Sequence, residues 1–466
     1  MANDVVRFVD SISASPTTRL DLNDGTTFTL NAAVLADPPK IHGSISSNAM
    51  TDGGYQSSSQ YDYRSIHLEL ILNVATQDAA ATALQNLHRE LDRETNYLKW
   101  QPDGATKPVF FKTWRTSPLQ IVDQPAVRAV YYVTLEIPAE PFALGLRETV
   151  SIGTVNNNPA AGSNGCYFDV SSVIGDVESP LLLLMTGYTH NNLTIAVRQH
   201  GTPSDLTFFK QAESLTLITD TTNPGGGPDA AMSGTGTNNY VRTSFATATA
   251  NRVRWAIASD HSTSAKKLAI GGTFRIFAAV RRSGSSSDIA LQVSCGALSS
   301  GPLVNTIKTS SRQIVDLGTI RLGPSVDQVG YATSTGFDAT NSWLDFLASR
   351  TSGAETLDWD CVFAIPADEG MQIDGDILLT APVDGFVIDS ASENLLPVVG
   401  DPFSTGVLGT TAADPIMTGG WLYVKPNQTN RFYVLMSTSS VSAVTLTATF
   451  AGSYWPKYLH VRPASS

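Results

Sequence analysis

Charge is scarce in this sequence. Asp, Glu, Lys and Arg make up 15% of the 466 residues, against roughly 25% in an ordinary soluble domain. The surface must then be clothed in Ser, Thr, Asn and Gly, which exposed strands and tight turns favour. Acidic residues outnumber basic ones, 42 − 30 = 12, for a net charge of −12. That balance provides no surface to displace phosphate counterions and no polybasic dock for an anionic membrane. Cysteine is nearly absent. Cys166, Cys295 and Cys361 are far apart and odd in number, which excludes a disulfide framework and a CxxC-type zinc site. They are expected as small buried hydrophobes. Apolar runs such as Leu181–Met185 are short, while a membrane span needs about 20 residues. Asp4, Arg7 and Asp10 interrupt the first residues, so no secretory leader is expected, and synthesis in a cytoplasm is.

Catalytic signatures are missing as well. Seven histidines, His42, His67, His88, His190, His200, His261 and His460, are scattered, and no GxSxG elbow accompanies them. The chain is not expected to be an enzyme. Asp374-Gly375-Asp376 and Asp358-Trp359-Asp360 come nearest to a metal pair, because residues i and i+2 of a strand share a face. Such alternating acids are ordinarily a solvated face, and no metal is assigned. Gly225-Gly226-Gly227 and Gly234-Thr235-Gly236 precede strand-like sequence without a following Lys-Ser/Thr. They read as turns, not as phosphate cradles, and no cofactor is expected. For sugar recognition the candidates are Tyr240, Trp255 and Trp343, which lie near Asn238, Asn239 and Asn341. An aromatic face can carry a sugar while amides read its hydroxyls; the competing reading is a core position.

What is present is β texture. Asn23-Asp24-Gly25 between Leu20–Leu22 and Phe28–Leu30 predicts a hairpin. Ile66, Leu68, Leu70, Leu72 and Val74 alternate strictly, predicting a half-buried strand. From about Gln77 to Tyr97, Ala80, Leu84, Leu87 and Leu91 recur at helical spacing, with Thr76 or Asp78 as candidate caps. The stripe predicts the one clear helix, and Leu84, Leu87 and Leu91 face either the core or a neighbouring copy. Tyr97–Trp100 and Val109–Trp114 flank a turn at Pro102-Asp103-Gly104, and Ala129–Ile137 is a further strand stopped by Pro138. Beyond Gly145 short Val-, Ile-, Leu-, Phe- and Thr-rich runs alternate with Gly, Ser, Asn and Pro, as sandwiches and jelly rolls require. Ala339–Arg350 carries a weak helical signal.

In order, the Leu20–Leu30 segment, Asp52-Gly53-Gly54, the strand Arg64–Val74, the helix, Leu98–Gly104 and Glu136–Phe142 resemble the distal tail proteins of long-tailed phages, also called minor tail proteins. Asp176–Asn192 resembles the opening of that family's galectin-like sandwich. Trp421–Asn427, Val444–Phe450 and Tyr454–Leu459 resemble its closing strands. The family's Leu-x-Pro-Gly-x-Asn pattern is altered here to Val424-Lys425-Pro426-Asn427-Gln428-Thr429-Asn430, without the Gly. The resemblance implies a mainly β chain in three parts. Residues 1–146 would be a ring-forming β-sandwich or split barrel with one helix. Residues 147–200 plus 371–466 would form a discontinuous galectin-like β-sandwich, and 201–370 an inserted, carbohydrate-binding-like jelly roll. It further implies a virion protein of the tail tip, made in the host bacterial cytoplasm and assembled as a homohexameric ring. Its partners would be itself, the tail tube protein, the tail-tip hub and the tape-measure protein. DNA would be passing cargo only, host surface polysaccharide a possible ligand, and the membrane not entered. The alternative is a stand-alone multi-domain carbohydrate-binding or adhesin protein.

Overall fold

The computed structural model describes residues 4–35, 37–47, 54–116, 120–123, 130–158, 165–187, 192–200, 209–225, 229, 231–233, 239–260, 272–283, 289–295, 299–300, 304–305, 311–322, 343–351, 355–367, 370–374, 384–399, 407–408, 416–437 and 446–459. The chain is mainly β and divides into two compact units. One holds the N-terminal part to Glu148 together with Ile174–Ser179 and the residues from Tyr454. The other holds Thr149–Val173 and Pro180–Ser453.

The first unit contains β1 (Val5–Val9), β2 (Thr18–Asp21), β3 (Phe28–Val34), β4 (Ile41–Ser47), β5 (Gly54–Tyr61), β6 (Arg64–Asn73), α1 (Gln77–Leu91), β7 (Thr95–Gln101), β8 (Val109–Trp114), β9 (Gln120–Asp123), β10 (Val130–Ala139) and β11 (Ala143–Leu144). The main sheet runs β2-β1-β7-β8-β10-β6-β3, with β9 on β10 and β11 on β8. β6 and β10 pair along their whole length, Val130 opposite Asn73 to Ala139 opposite Arg64. In both, alternate residues are buried, as a sheet with one covered face requires.

Helix α1 covers that inner face. Thr76 caps it, its Oγ1 accepting from the Ala79 amide at 3.2 Å. The helix ends at Leu91, earlier than the periodicity predicts. Asn96 receives the chain there, donating through Nδ2 to the Glu90 carbonyl at 3.0 Å. Thr95–Gln101 then pairs with β1 and β8, so sheet pairing overrides the residual helical pattern.

The predicted hairpin at Asp24-Gly25 is not one. β2 and β3 occupy opposite ends of the strand order. The Asp24 carboxylate accepts from the amides of Thr26, Thr27 and Phe28 at 2.8, 2.7 and 3.0 Å, and Gly25 takes φ +72°. The turn chemistry is as the sequence implies. Burial decides the pairing, with Phe28 and Leu30 laid opposite Leu72 and Leu70. The Ser-rich β4 and β5 form a two-stranded ribbon of their own.

The C-terminal segment returns to this unit and not, as expected, to the second sandwich. Lys457 and Tyr458 pair with Leu144 and Ala143. Arg64 donates to the Leu459 carbonyl at 2.8 Å and to the Leu35 carbonyl at 3.4 Å, beneath the Phe111 ring. Burial pulls this guanidinium down to about 10, partly offset by Asp37.

In the second unit, one pair of sheets draws its strands from 148–200 and 370–454. One sheet orders Glu148–Asn156, Thr447–Tyr454, Leu182–Thr186, Asp384–Asp389, Asn394–Val399 and Val407–Leu408. The other orders Tyr167–Val170, Thr429–Ser437, Asn192–His200, Gly370–Asp374 and Ile416–Gly419. The second pair draws only on 209–366. Thr356–Pro366 lies centrally in one sheet between Val241–Ser244 and Gly272–Ser283. Leu344–Arg350 lies centrally in the other between Thr249–Trp255 and Ile289–Cys295. The weak helical signal is overturned over Leu344–Arg350, where Leu344, Phe346 and Ala348 turn inward as a strand; its first residues, 339–342, lie outside the described ones. The two sandwiches share one apolar cluster, in which Tyr433, Leu435 and Cys166 join Trp359, Phe346 and Cys361. No helix among the described residues is long and apolar enough to cross a membrane.

Candidate functional site

Two surfaces stand out, one in each unit. Among the described residues, every large exposed hydrophobic lies in the first unit: Val34, Ile41, Tyr61, Tyr63, Trp114, Tyr132 and Ile174. Ile41 is 60% and Tyr63 50% exposed. Tyr63 and Trp114 pack at 6.5 Å, and Tyr61 meets Phe142 edge-on at 5.2 Å. A cleft of about 230 Å³ adjoins them, lined by Val34, Pro38, Pro39, Tyr63, Arg64 and His67 among others. The neighbouring exposed side chains of Ile41, Tyr61, Tyr63 and Trp114 mark a contact surface. Ile41 and Tyr61 stand opposite each other at the base of the β4–β5 ribbon. A two-stranded ribbon alone is marginal in water.

The helix stripe is mostly not part of that surface. Leu87 and Leu91 are buried in the unit's own core, and Leu84 packs half-buried against it.

The second surface lies on the sandwich built from residues 209–366. Of the three candidate aromatics, Trp255 is closed to solvent, its indole N–H donating to Asp260 Oδ2 at 2.7 Å. Tyr240 is also buried, with Arg242 and Arg281 against its ring at 5.5 and 5.7 Å. Both are corrected to structural positions: the sandwich interior and an ion-pair ladder take up their faces. Trp343 is half-buried and keeps a reachable surface. Asn239 is structural too, accepting from the Asp229 amide and donating to the Asp229 and Met232 carbonyls. Asn238 and Asn341 lie outside the described residues.

The structure does not bring the three aromatics into one site. It builds arginine–carboxylate pairs instead. Arg242 grips Asp358 through both oxygens at 2.6 and 3.0 Å, and Arg281 bridges Asp358 and Asp229 at 3.0 and 2.6 Å. Asp360, two residues on, is held by Arg312 at 2.6 Å and by the amide and hydroxyl of Ser233. The Asp358-Trp359-Asp360 carboxylates are thus engaged by guanidinium groups, which occupy the oxygens that a cation would need. The Asp374-Gly375-Asp376 acids have no described side chains. On the opposite sheet Arg254 grips Asp345 at 2.6 and 2.8 Å, with its guanidinium 4.7 Å from the Trp343 ring. Asp345 Oδ2 also lies 3.5 Å from Asn251 Nδ2.

No protein-family model matches the chain, and no curated protein matches it by sequence. Solved structures similar to it include the Dit protein of phage SPP1, described as a paradigm of the hub adsorption apparatus in phages infecting Gram-positive bacteria. It shares 9% identity at a TM-score of 0.37, over 97% of this chain and 98% of that one. The phage p2 baseplate in its activated conformation is similar too, in a strontium and a calcium form. Both share 7% identity over 76% of this chain and 97% of that one, at TM-scores of 0.24 and 0.23.

Sequence reasoning missed the arginine pairs, because each joins strands distant in the chain. One signal was available: Arg242, Arg254, Arg281 and Arg312 fall within the β-textured sequence beyond Gly145, where an unpaired guanidinium in a strand would be costly.

Proposed function

We propose that this chain is a structural protein of the tail tip of a long-tailed phage, forming a ring between the tail tube and the tip. The observation that carries this reading is the set of exposed aromatics, Tyr61, Tyr63 and Trp114, at and beside the base of the β4–β5 ribbon, which forms a two-stranded sheet of its own in the first unit. Both are surfaces that a neighbouring copy would cover. The ordered sequence features from Leu20 to Phe142 support the same assignment. The ring would be a homohexamer whose open sheet edges at β2 and β3 are satisfied by neighbours. Its partners would be the tail tube protein, the tail-tip hub and the tape-measure protein, with DNA as passing cargo beside an acidic chain. The role is mechanical and not catalytic. Light scattering and negative-stain imaging of the purified chain test it. Rings near six times 49.6 kDa are expected, and a chain that stays monomeric alone and with its tail partners defeats it.

A second reading concerns the sandwich of residues 209–366. The Trp343–Arg254–Asp345 stack favours a contact with host surface glycan, repeated around the ring so that weak binding gains by avidity.

A further inference from the structure

We infer that the outer face of the strands Thr249–Trp255, Leu344–Arg350 and Ile289–Cys295 is a saccharide-binding face, and that its ligand is an uncharged glycan. The inference rests on the glycan reading of this sandwich and gives it a site and a ligand class.

Strand alternation separates the two faces. Val253, Trp255, Leu344, Phe346, Leu291 and Val293 point into the core. Register then aligns the outward residues in cross-strand rows. Arg254 lies opposite Asp345, which lies opposite Ser294. In the neighbouring row Asn251 lies opposite Leu347, which lies opposite Gln292. Asn251, Gln292, Ser294 and Leu347 are all part-exposed. Directly opposed side chains on neighbouring strands stand about 5 Å apart. The face therefore presents a compact grid of amide and hydroxyl groups around one aliphatic side chain, with the Asp345 carboxylate buried under the Arg254 guanidinium and Trp343 at its end.

The chemistry of that grid suits sugar hydroxyls, which both donate and accept. Asn251 offers an amide oxygen and two N–H donors. Its contact with the buried Asp345 is at the long limit of a hydrogen bond, so an incoming hydroxyl can take up the Asn251 amide with little loss. Trp343, held by the guanidinium on one side, supplies an oriented wall for the apolar C–H face of a sugar.

Charge selects the ligand class. Arg254 is the cation of these two rows, and the fork geometry with Asp345 cancels it. Among the described residues of these two rows no spare cation remains for a uronate or phosphate, and the chain as a whole carries −12. An acidic polymer meets repulsion without compensation.

Affinity electrophoresis of the full chain tests this, in native gels containing soluble β-glucan, galactomannan or polygalacturonate. Retardation by a neutral polymer is expected, with none by polygalacturonate. W343A and, separately, N251A/Q292A should each weaken the retardation at least tenfold. Their thermal midpoints, measured alongside, should stay close to that of the parent, and at least the amide variant alters only part-exposed side chains. The inference fails if neither neutral polymer retards the chain, if polygalacturonate retards it in a salt-sensitive way, or if both variants bind as the parent does. Light scattering of the same samples separates the two readings. Rings without retardation defeat only the saccharide face, and retardation without rings defeats only the tail assignment.

Discussion

The Arg312 guanidinium donates through Nε to Asp360 Oδ2 at 2.6 Å, and both side chains are closed to solvent. Burial opposes the charge on Arg312, but Asp360 and the sulfur of Cys361 outweigh it and hold the guanidinium above its usual value. A charge left alone in such a place costs about 3–5 kcal/mol, whereas removing both members of a pair is often nearly neutral. Arg312→Met should accordingly lower the stability of the second unit by roughly that amount. Arg312→Met with Asp360→Asn should recover at least half of the loss. Denaturant unfolding followed by fluorescence measures both, and a double variant as unstable as the single one would mean that the ion pair is not the source of the cost.

Thiol chemistry gives a second check. All three cysteines are buried. Burial pushes Cys166 up to about 12 and Cys295 up to about 11, and it raises Cys361 well above the usual thiol range. A thiolate is the reactive form. A thiol-reactive dye should therefore label none of them in the folded chain at pH 8, and all three after denaturation.

The turn at Asn427 offers a backbone test. Asn427 sits at φ +58°, where Gly is best tolerated and Asn next best. Asn430 clamps the turn, accepting from the Lys425 amide at 2.8 Å and donating to the carbonyls of Lys425 and Val170 at 3.0 and 3.1 Å. Asn427→Val should lower stability by about 1–2 kcal/mol, while Asn427→Gly is near neutral. Asn430→Ala should cost roughly 2–3 kcal/mol, because it strips several buried backbone groups of their partners. Thermal unfolding distinguishes the three.

Asp24 supplies a pH-dependent effect. Burial tends to raise its carboxyl, but the amides of Thr26, Phe28 and Thr27 outweigh that and hold it below the usual value. A depressed carboxylate contributes stability above its unfolded value, and the contribution is lost as pH falls through the folded value. The difference in midpoint between the parent and Asp24→Asn should thus be complete at neutral pH. It should close as the pH drops below about 4. A gap that widens in acid would contradict the assignment.

The exposed aromatics carry the association test. Tyr63→Ala with Trp114→Ala removes a ring contact at the surface and no core side chain. The doubly substituted chain should shift toward monomer in light scattering, with little change in its own thermal midpoint.

How far all this was legible differs by element. β6 and α1 could be read directly, since Ile66–Leu72 alternate and Leu84, Leu87 and Leu91 form a stripe. Each pattern has one period and one buried face. Asp24-Gly25 signalled a turn correctly, but a turn signal does not name the strands that will pair across it. β4 and β5 were missed because Ser and Gly carry no hydrophobic period. Asn427 hid in plain view: the motif's Gly is absent, yet Asn427 takes a left-handed conformation that Asn tolerates. For the site, the aromatics were chosen by proximity in the chain. Only burial in the folded sandwich separates half-buried Trp343 from Tyr240 and Trp255, which are packed away.

The return of Lys457 and Tyr458 to β11, and of the Leu459 carbonyl to Arg64, has a consequence in time. During synthesis most of the first unit emerges from the ribosome with its strand Lys457–Tyr458 still to be made, because the second unit lies between them in the chain. Until then Arg64 has lost one of its two carbonyl partners and β11 lacks its neighbour. The unit proposed to assemble with other copies thus stays unfinished until the second unit has been made, and a chain truncated before Lys457 should carry an incomplete building block.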